Sequence, residues 1–163
     1  MCELLGNGKP FSLSIGDVTD IIQTIVIVVS LIYVAIQVRE STRATKGATY
    51  QSIITAFAEI ESRISQDAEV AKIYRLGQAS SDKFNETQLA RFNELMSSFF
   101  NLYENLYYQY NNKLLEEELW AGWGQNIRDH LAQPGVAAWW KSKSYLYAKS
   151  FREYINSGKC PRN

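Results

Sequence analysis

The sequence predicts an all-α protein: one N-terminal transmembrane helix that continues into a cytoplasmic helical bundle of about four to five helices. Three observations predict it. Ile21 to Val38 is a run of eighteen residues without a charge, thirteen of them Ile, Val, Leu or Ala. Further on, Leu89, Phe92, Met96, Phe99, Tyr103, Leu106 and Tyr110 alternate steps of three and four, the spacing of one apolar helix face. Apart from the first run, nothing in the chain reads as a strand, and that run is about three times a typical strand length. The expected division is a short extracytoplasmic tail at 1–17, a membrane span at 18–38 and a cytoplasmic bundle at 39–163.

The segment before the apolar run carries Asp17 and Asp20 with Lys9 as its one cation, and no small-x-small cleavage site follows the run. A cleaved signal peptide therefore fits less well than an uncleaved span. A helix of eighteen residues covers about 27 Å at 1.5 Å per residue, close to the ~30 Å of hydrocarbon in a bilayer. Lipid offers no partner to backbone N–H and C=O groups, which forces the helix despite the β-branched content. The third option is a buried helix of a soluble domain. Arg39, Arg43 and Lys46 follow the run within eight positions, so the positive-inside rule places residues 39–163 in the cytoplasm and the N-terminus outside. These three cations form a basic flank at the membrane surface, each contributing about 1 kcal/mol near anionic headgroups.

Gln23, Ser30 and Gln37 are seven apart and share one helix face, with Thr19 and Tyr33 near its edge. A Gln amide in hydrocarbon is costly without a partner. The face is expected to meet a copy of itself in a homo-oligomer or a helix of a larger membrane complex, where such groups contribute about 0.6 to 2 kcal/mol each. With five or more copies the same side chains would line a pore. The plain alternative is that both glutamines reach interfacial water and Ser30 bonds its own backbone.

Between Arg39 and Ile64 there is no proline, so the span is expected to run on as helix, with Ile53, Phe57, Ile60 and Ile64 as an apolar seam. Asp67 is placed to cap a short helix carrying Val70, Ala71, Ile73, Tyr74 and Leu76, with Gly77 as its stop. "QASSDKFN" reads as a loop. Asn85 then caps the main helix, with Gln88 at the capping-box position. Glu116 to Glu118 mark another helix start, and Leu119, Trp123, Ile127 and Leu131 follow at fours. Pro134 opens a short helix through Trp139 and Trp140. A last helix around Phe151, Tyr154 and Ile155 ends at Gly158.

The segments "VSLIYVAIQVRESTRAT" and "ELWAGW…QPGVAAWW" resemble a widespread group of short bacterial single-pass membrane proteins. The shared pattern is an apolar span reading roughly V-S-L-I-Y-x-A-x-Q-x-R-x-x-T, then E-x-W-x-x-W and P-G-x-x-x-W-W. The likeness covers most of residues 26–155. It implies a bacterial origin and a membrane-anchored architecture, and it implies no activity and no site, because none is established for that group.

Composition narrows the function. Basic and acidic residues balance at 17 each and are scattered among one another, which argues against a nucleic-acid partner. The two cysteines, Cys2 and Cys160, fall on opposite sides of the proposed membrane and cannot pair within one chain. Met1-Cys2 is preceded by no apolar signal for lipid modification. The single histidine, His130, has no CxxC, HExxH or carboxylate partner at helical spacing, so no metal, cofactor or catalytic residue is expected. A lone histidine near a helix end is ordinarily a surface or capping group. No serine lies near a base or a glycine elbow, and "LEEELW" reads as charge complementing a helix start. Trp120, Trp123, Trp139 and Trp140, with Arg128, Lys141 and Lys143 nearby, form a possible aromatic groove. It would hold an aromatic or anionic ligand, dock a partner, or rest on headgroups; filling the gaps of a small bundle is the structural alternative.

Overall fold

The computed structural model describes residues 14–158; Lys9, Cys2 and Cys160 lie outside them. The described residues form six α-helices and one 3-10 turn with no strand: α1 Ile15–Gln66, α2 Ala68–Ala79, α3 Glu86–Asn111, α4 Glu117–Leu131, α5 Pro134–Lys143, the turn Ser144–Leu146, and α6 Lys149–Ser157. The chain divides into two compact units between Arg43 and Ala44.

The first unit is the leading part of α1. Ser14 and Asp17 close a reciprocal cap: the Asp17 N–H donates to Ser14 Oγ at 3.2 Å and the Ser14 N–H to Asp17 Oδ2 at 2.9 Å. Every large apolar side chain from Ile21 to Val38 is exposed, at 47% to 64%. The helix is long and apolar enough to cross a membrane. A soluble core helix of this composition would be covered, whereas this one shows its whole circumference to the surroundings.

The second unit has a core of its own, organised around α3, which buries Phe92, Leu95, Met96, Phe99, Phe100, Leu102, Tyr103 and Leu106. Its three-four stripe holds as read, except that Leu89 in the first turn stays exposed. Ile53 and Ile60 are buried on the later part of α1, and Phe57 and Ile64 pack against the core beside them. Both caps form: Asp67 accepts from the Glu69 and Val70 N–H groups, and Asn85 and Gln88 make the full capping box. Pro134 begins α5, and Gly158 ends α6 in the left-handed conformation at φ 59°.

Gly77 does not stop α2, which runs on to Ala79. Its role is close approach. A Cβ on Gly77 would collide with the Phe92 ring of α3, and a Cβ on Gly135 would collide with the Gly77 carbonyl. Gly77 lets the Phe92 ring of α3 lie directly on the α2 backbone, and Gly135 lets α5 meet α2 backbone to backbone, which no larger residue permits.

The face of α4 is also displaced from the one read at fours. Trp120, Gly124, Ile127 and His130 are buried, while Leu119, Trp123 and Leu131 are half-buried at the edges. Each four-residue step overshoots the 3.6-residue turn by about 40°, so a run of fours slides off the buried line. This displacement carries His130 inward.

Candidate functional site

The polar stripe of Gln23, Ser30 and Gln37 is partly satisfied within α1 itself. Ser30 Oγ donates to the Val26 carbonyl at 2.8 Å, and Gln37 Nε2 donates to Tyr33 Oη at 2.9 Å. Gln23 makes no hydrogen bond among the described residues. Two threonines behave as Ser30 does: Thr19 donates to the Ile15 carbonyl at 2.9 Å and Thr24 to the Asp20 carbonyl at 2.8 Å. Of the basic flank, Arg39 and Arg43 are exposed in the first unit. Lys46 belongs to the second unit, half-buried in a recess it shares with Glu116 and Glu117.

Three of the four tryptophans are core residues rather than the walls of an open groove. Trp120, Trp139 and Trp140 are 1%, 6% and 5% exposed. The Trp139 and Trp140 rings stack on Phe100 with centroids 5.2 and 4.8 Å away. Their indole N–H groups find acceptors on other helices, Asn93 Oδ1 of α3 at 3.0 Å and Asn156 Oδ1 of α6 at 3.2 Å. Consecutive tryptophans thus pin α5 between α3 and α6. Trp123 is half-buried and meets Phe57 edge to face at 5.0 Å.

His130 is the one polar side chain among the buried residues described, at 7% exposure. Its ring lies among Phe99, Phe100, Tyr74 and Tyr103, with Phe99 edge-on at 4.8 Å. Both ring nitrogens are engaged. The Tyr103 O–H donates to Asn126 Oδ1 at 2.9 Å, so its oxygen accepts from His130 Nδ1–H at 3.1 Å. Nε2 then presents a lone pair to the Tyr74 hydroxyl at 3.4 Å. The result is a directed chain, Tyr74 to His130 to Tyr103 to Asn126, assembled from three helices.

Burial sets the protonation of this chain. Desolvation lowers the His130 pKa to about 4, so its imidazole is neutral at physiological pH. It also pushes the Tyr103 phenol far up. Tyr74 is raised by burial and by the nearby charge of Glu61, against a hydrogen bond from Gln78. The group holds its protons at neutral pH and offers hydrogen bonds rather than charge.

The chain forms one wall of a recess of about 510 Å³, bounded by the later part of α1, by α2, α3 and α4. Phe57 and Phe99 supply aromatic surface, and Glu61 and Asp129 supply carboxylates. Asp129 Oδ1 accepts from Gln125 Nε2 at 2.6 Å. Among the described residues no three His, Cys, Asp or Glu side chains are grouped to hold a metal ion.

No family model, curated protein or solved structure matches this chain. Its reading rests on its own residues. Sequence reasoning missed the recess because its key residue was placed on the surface. The signal available was Trp120, Ile127 and His130 at steps of seven and three, which on a 3.6-residue helix share a face with the strongest apolar positions of α4.

Proposed function

We propose that the chain is a single-pass membrane-anchored protein that holds a helical bundle at the cytoplasmic face of a bacterial inner membrane. One observation carries the reading: eighteen uncharged residues in a single helix with every large apolar side chain exposed, beside a second unit whose core is complete without them. Leaving that surface in water is expensive at roughly 25 cal/mol per Å². Arg39 and Arg43 after the span favour the cytoplasmic side for the bundle.

The test is fractionation. The full-length protein should remain in the membrane pellet through alkaline carbonate and high salt, and leave it only with detergent. Recovery in the aqueous supernatant overturns the reading.

A second reading, self-association through the span, is favoured by Gln23, whose amide is the one member of the stripe without a partner in its own helix. A facing copy would supply one. Gln23→Leu should then shift the species in detergent towards monomer, as read by light scattering. A wild-type protein that is already monomeric in several detergents removes this reading, and with it conduction through the stripe. A monomer that co-purifies with unrelated chains turns the same face into a docking surface on a larger membrane complex.

A further inference from the structure

We propose that the recess beside His130 binds a small organic cation, an ammonium group carried on an apolar or aromatic body. The recess is bounded by Phe57 and Glu61 of α1, Tyr74 of α2, Tyr103 of α3, and Asp129 and His130 of α4, all within the second unit.

Its size suits a compact ligand. About 510 Å³ falls within the ~300–1,000 Å³ of typical small-molecule sites. Its chemistry selects the charge. The lining contains two carboxylates, Glu61 and Asp129, and no lysine or arginine. His130 adds no positive charge at neutral pH, since burial keeps it unprotonated. The field in the recess is therefore negative, which draws a cation and repels an anion. Four further lining residues, Phe57, Tyr74, Phe99 and Tyr103, are aromatic, and such rings attract an ammonium group by their quadrupoles and cover an apolar body.

The buried polar chain adds an independent argument. The His130 imidazole and the Tyr103 hydroxyl, inside a largely apolar core, carry a desolvation cost that an apolar pair of similar volume would avoid. Both ends of the chain, Tyr74 and Asn126, line the recess. It gives the wall fixed hydrogen-bonding groups in a defined order. The carboxylates remain accessible: Glu61 and Asp129 are both exposed at the rim.

The experiment uses the full-length protein in a nonionic detergent and three probes that share one ring system: tryptamine (cation), 3-methylindole (neutral) and indole-3-propionate (anion). Benzyltrimethylammonium serves as a second cation. Binding is read by calorimetric titration and by the shift in thermal midpoint. At least one cation should bind saturably, at least tenfold more tightly than the neutral and anionic probes. The Glu61→Gln and Asp129→Asn variants change exposed side chains and should fold normally, and each should weaken cation binding about fivefold or more. Three results overturn the proposal. These are no saturable binding of either cation to folded protein, equal binding of neutral or anionic probes, and cation binding that survives the double variant. The last outcome would assign the signal to the detergent or the span.

Discussion

His130 protonates near pH 6.5 as an ordinary imidazole and near pH 4 in the folded protein. Between those values the unfolded chain binds the extra proton and the folded one does not, so stability falls as pH falls. The loss is complete below pH 4, where it amounts to about 3 kcal/mol. The thermal midpoint of the wild type should therefore drop from pH 6.5 to 4 more steeply than that of His130→Gln, a variant with no imidazole to titrate. Parallel profiles would show that the ring is solvated. Gly135 gives a second residue-scale outcome. Gly135→Ala drives a methyl group into the Gly77 carbonyl and should cost about 1–3 kcal/mol or more in chemical denaturation. Gly122→Ala is the contrasting case: its Cβ meets nothing, and it should gain about 0.5–1 kcal/mol. In the sequence Gly77 reads as a helix stop, and nothing there sets Gly135 apart from Gly122. Only the packing separates them, because a close approach of two backbones leaves no local mark beyond the glycine itself.

At the scale of elements, the legible features were those whose signal is local. Asp67, Asn85 with Gln88, Pro134 and Gly158 each act within one turn of the helix end they define, and each was readable from its immediate neighbours. The start of α6 is different. Ala148 has no capping side chain of its own, and its N–H donates instead to Glu104 Oε1 of α3 at 2.7 Å. The two residues are 44 apart, so no pattern along the chain connects them. Glu104→Ala should destabilise the protein by about 1–2 kcal/mol and raise hydrogen exchange in α6 before it affects α3. Uniform exchange across both helices would mean that the cap contributes little to holding α6. The tryptophan pair of α5 follows the same logic. Two indoles in succession predict burial, but their acceptors, Asn93 and Asn156, lie on helices that only the fold brings near.

For the whole molecule, every buried hydrophobic residue of the core lies between Ile53 and Phe151, beyond the division at Arg43 and Ala44. A fragment of residues 44–163 should therefore fold cooperatively in water without detergent and keep the helical signal of its five complete helices. Aggregation or a broad, noncooperative transition would mean that the span completes the fold. The all-α class, the unbroken α1 and the order of the later helices followed from charge-free length and three-four spacing, which act over long stretches and so survive local ambiguity. The recess did not, because it is made by one histidine brought within hydrogen-bonding reach of tyrosines 27 and 56 positions away. A last consequence follows from the hydroxyls of the span. Thr19, Thr24 and Ser30 each donate a hydrogen bond to the carbonyl one turn back, so their donors are satisfied before any companion arrives. On the membrane-anchored reading proposed above, such a segment would pass from the insertion machinery into the bilayer with the Gln23 amide as its one unpartnered stripe group. Its retention there should then not vary with expression level on account of Thr19, Thr24 or Ser30, and any dependence on copy number would fall to Gln23.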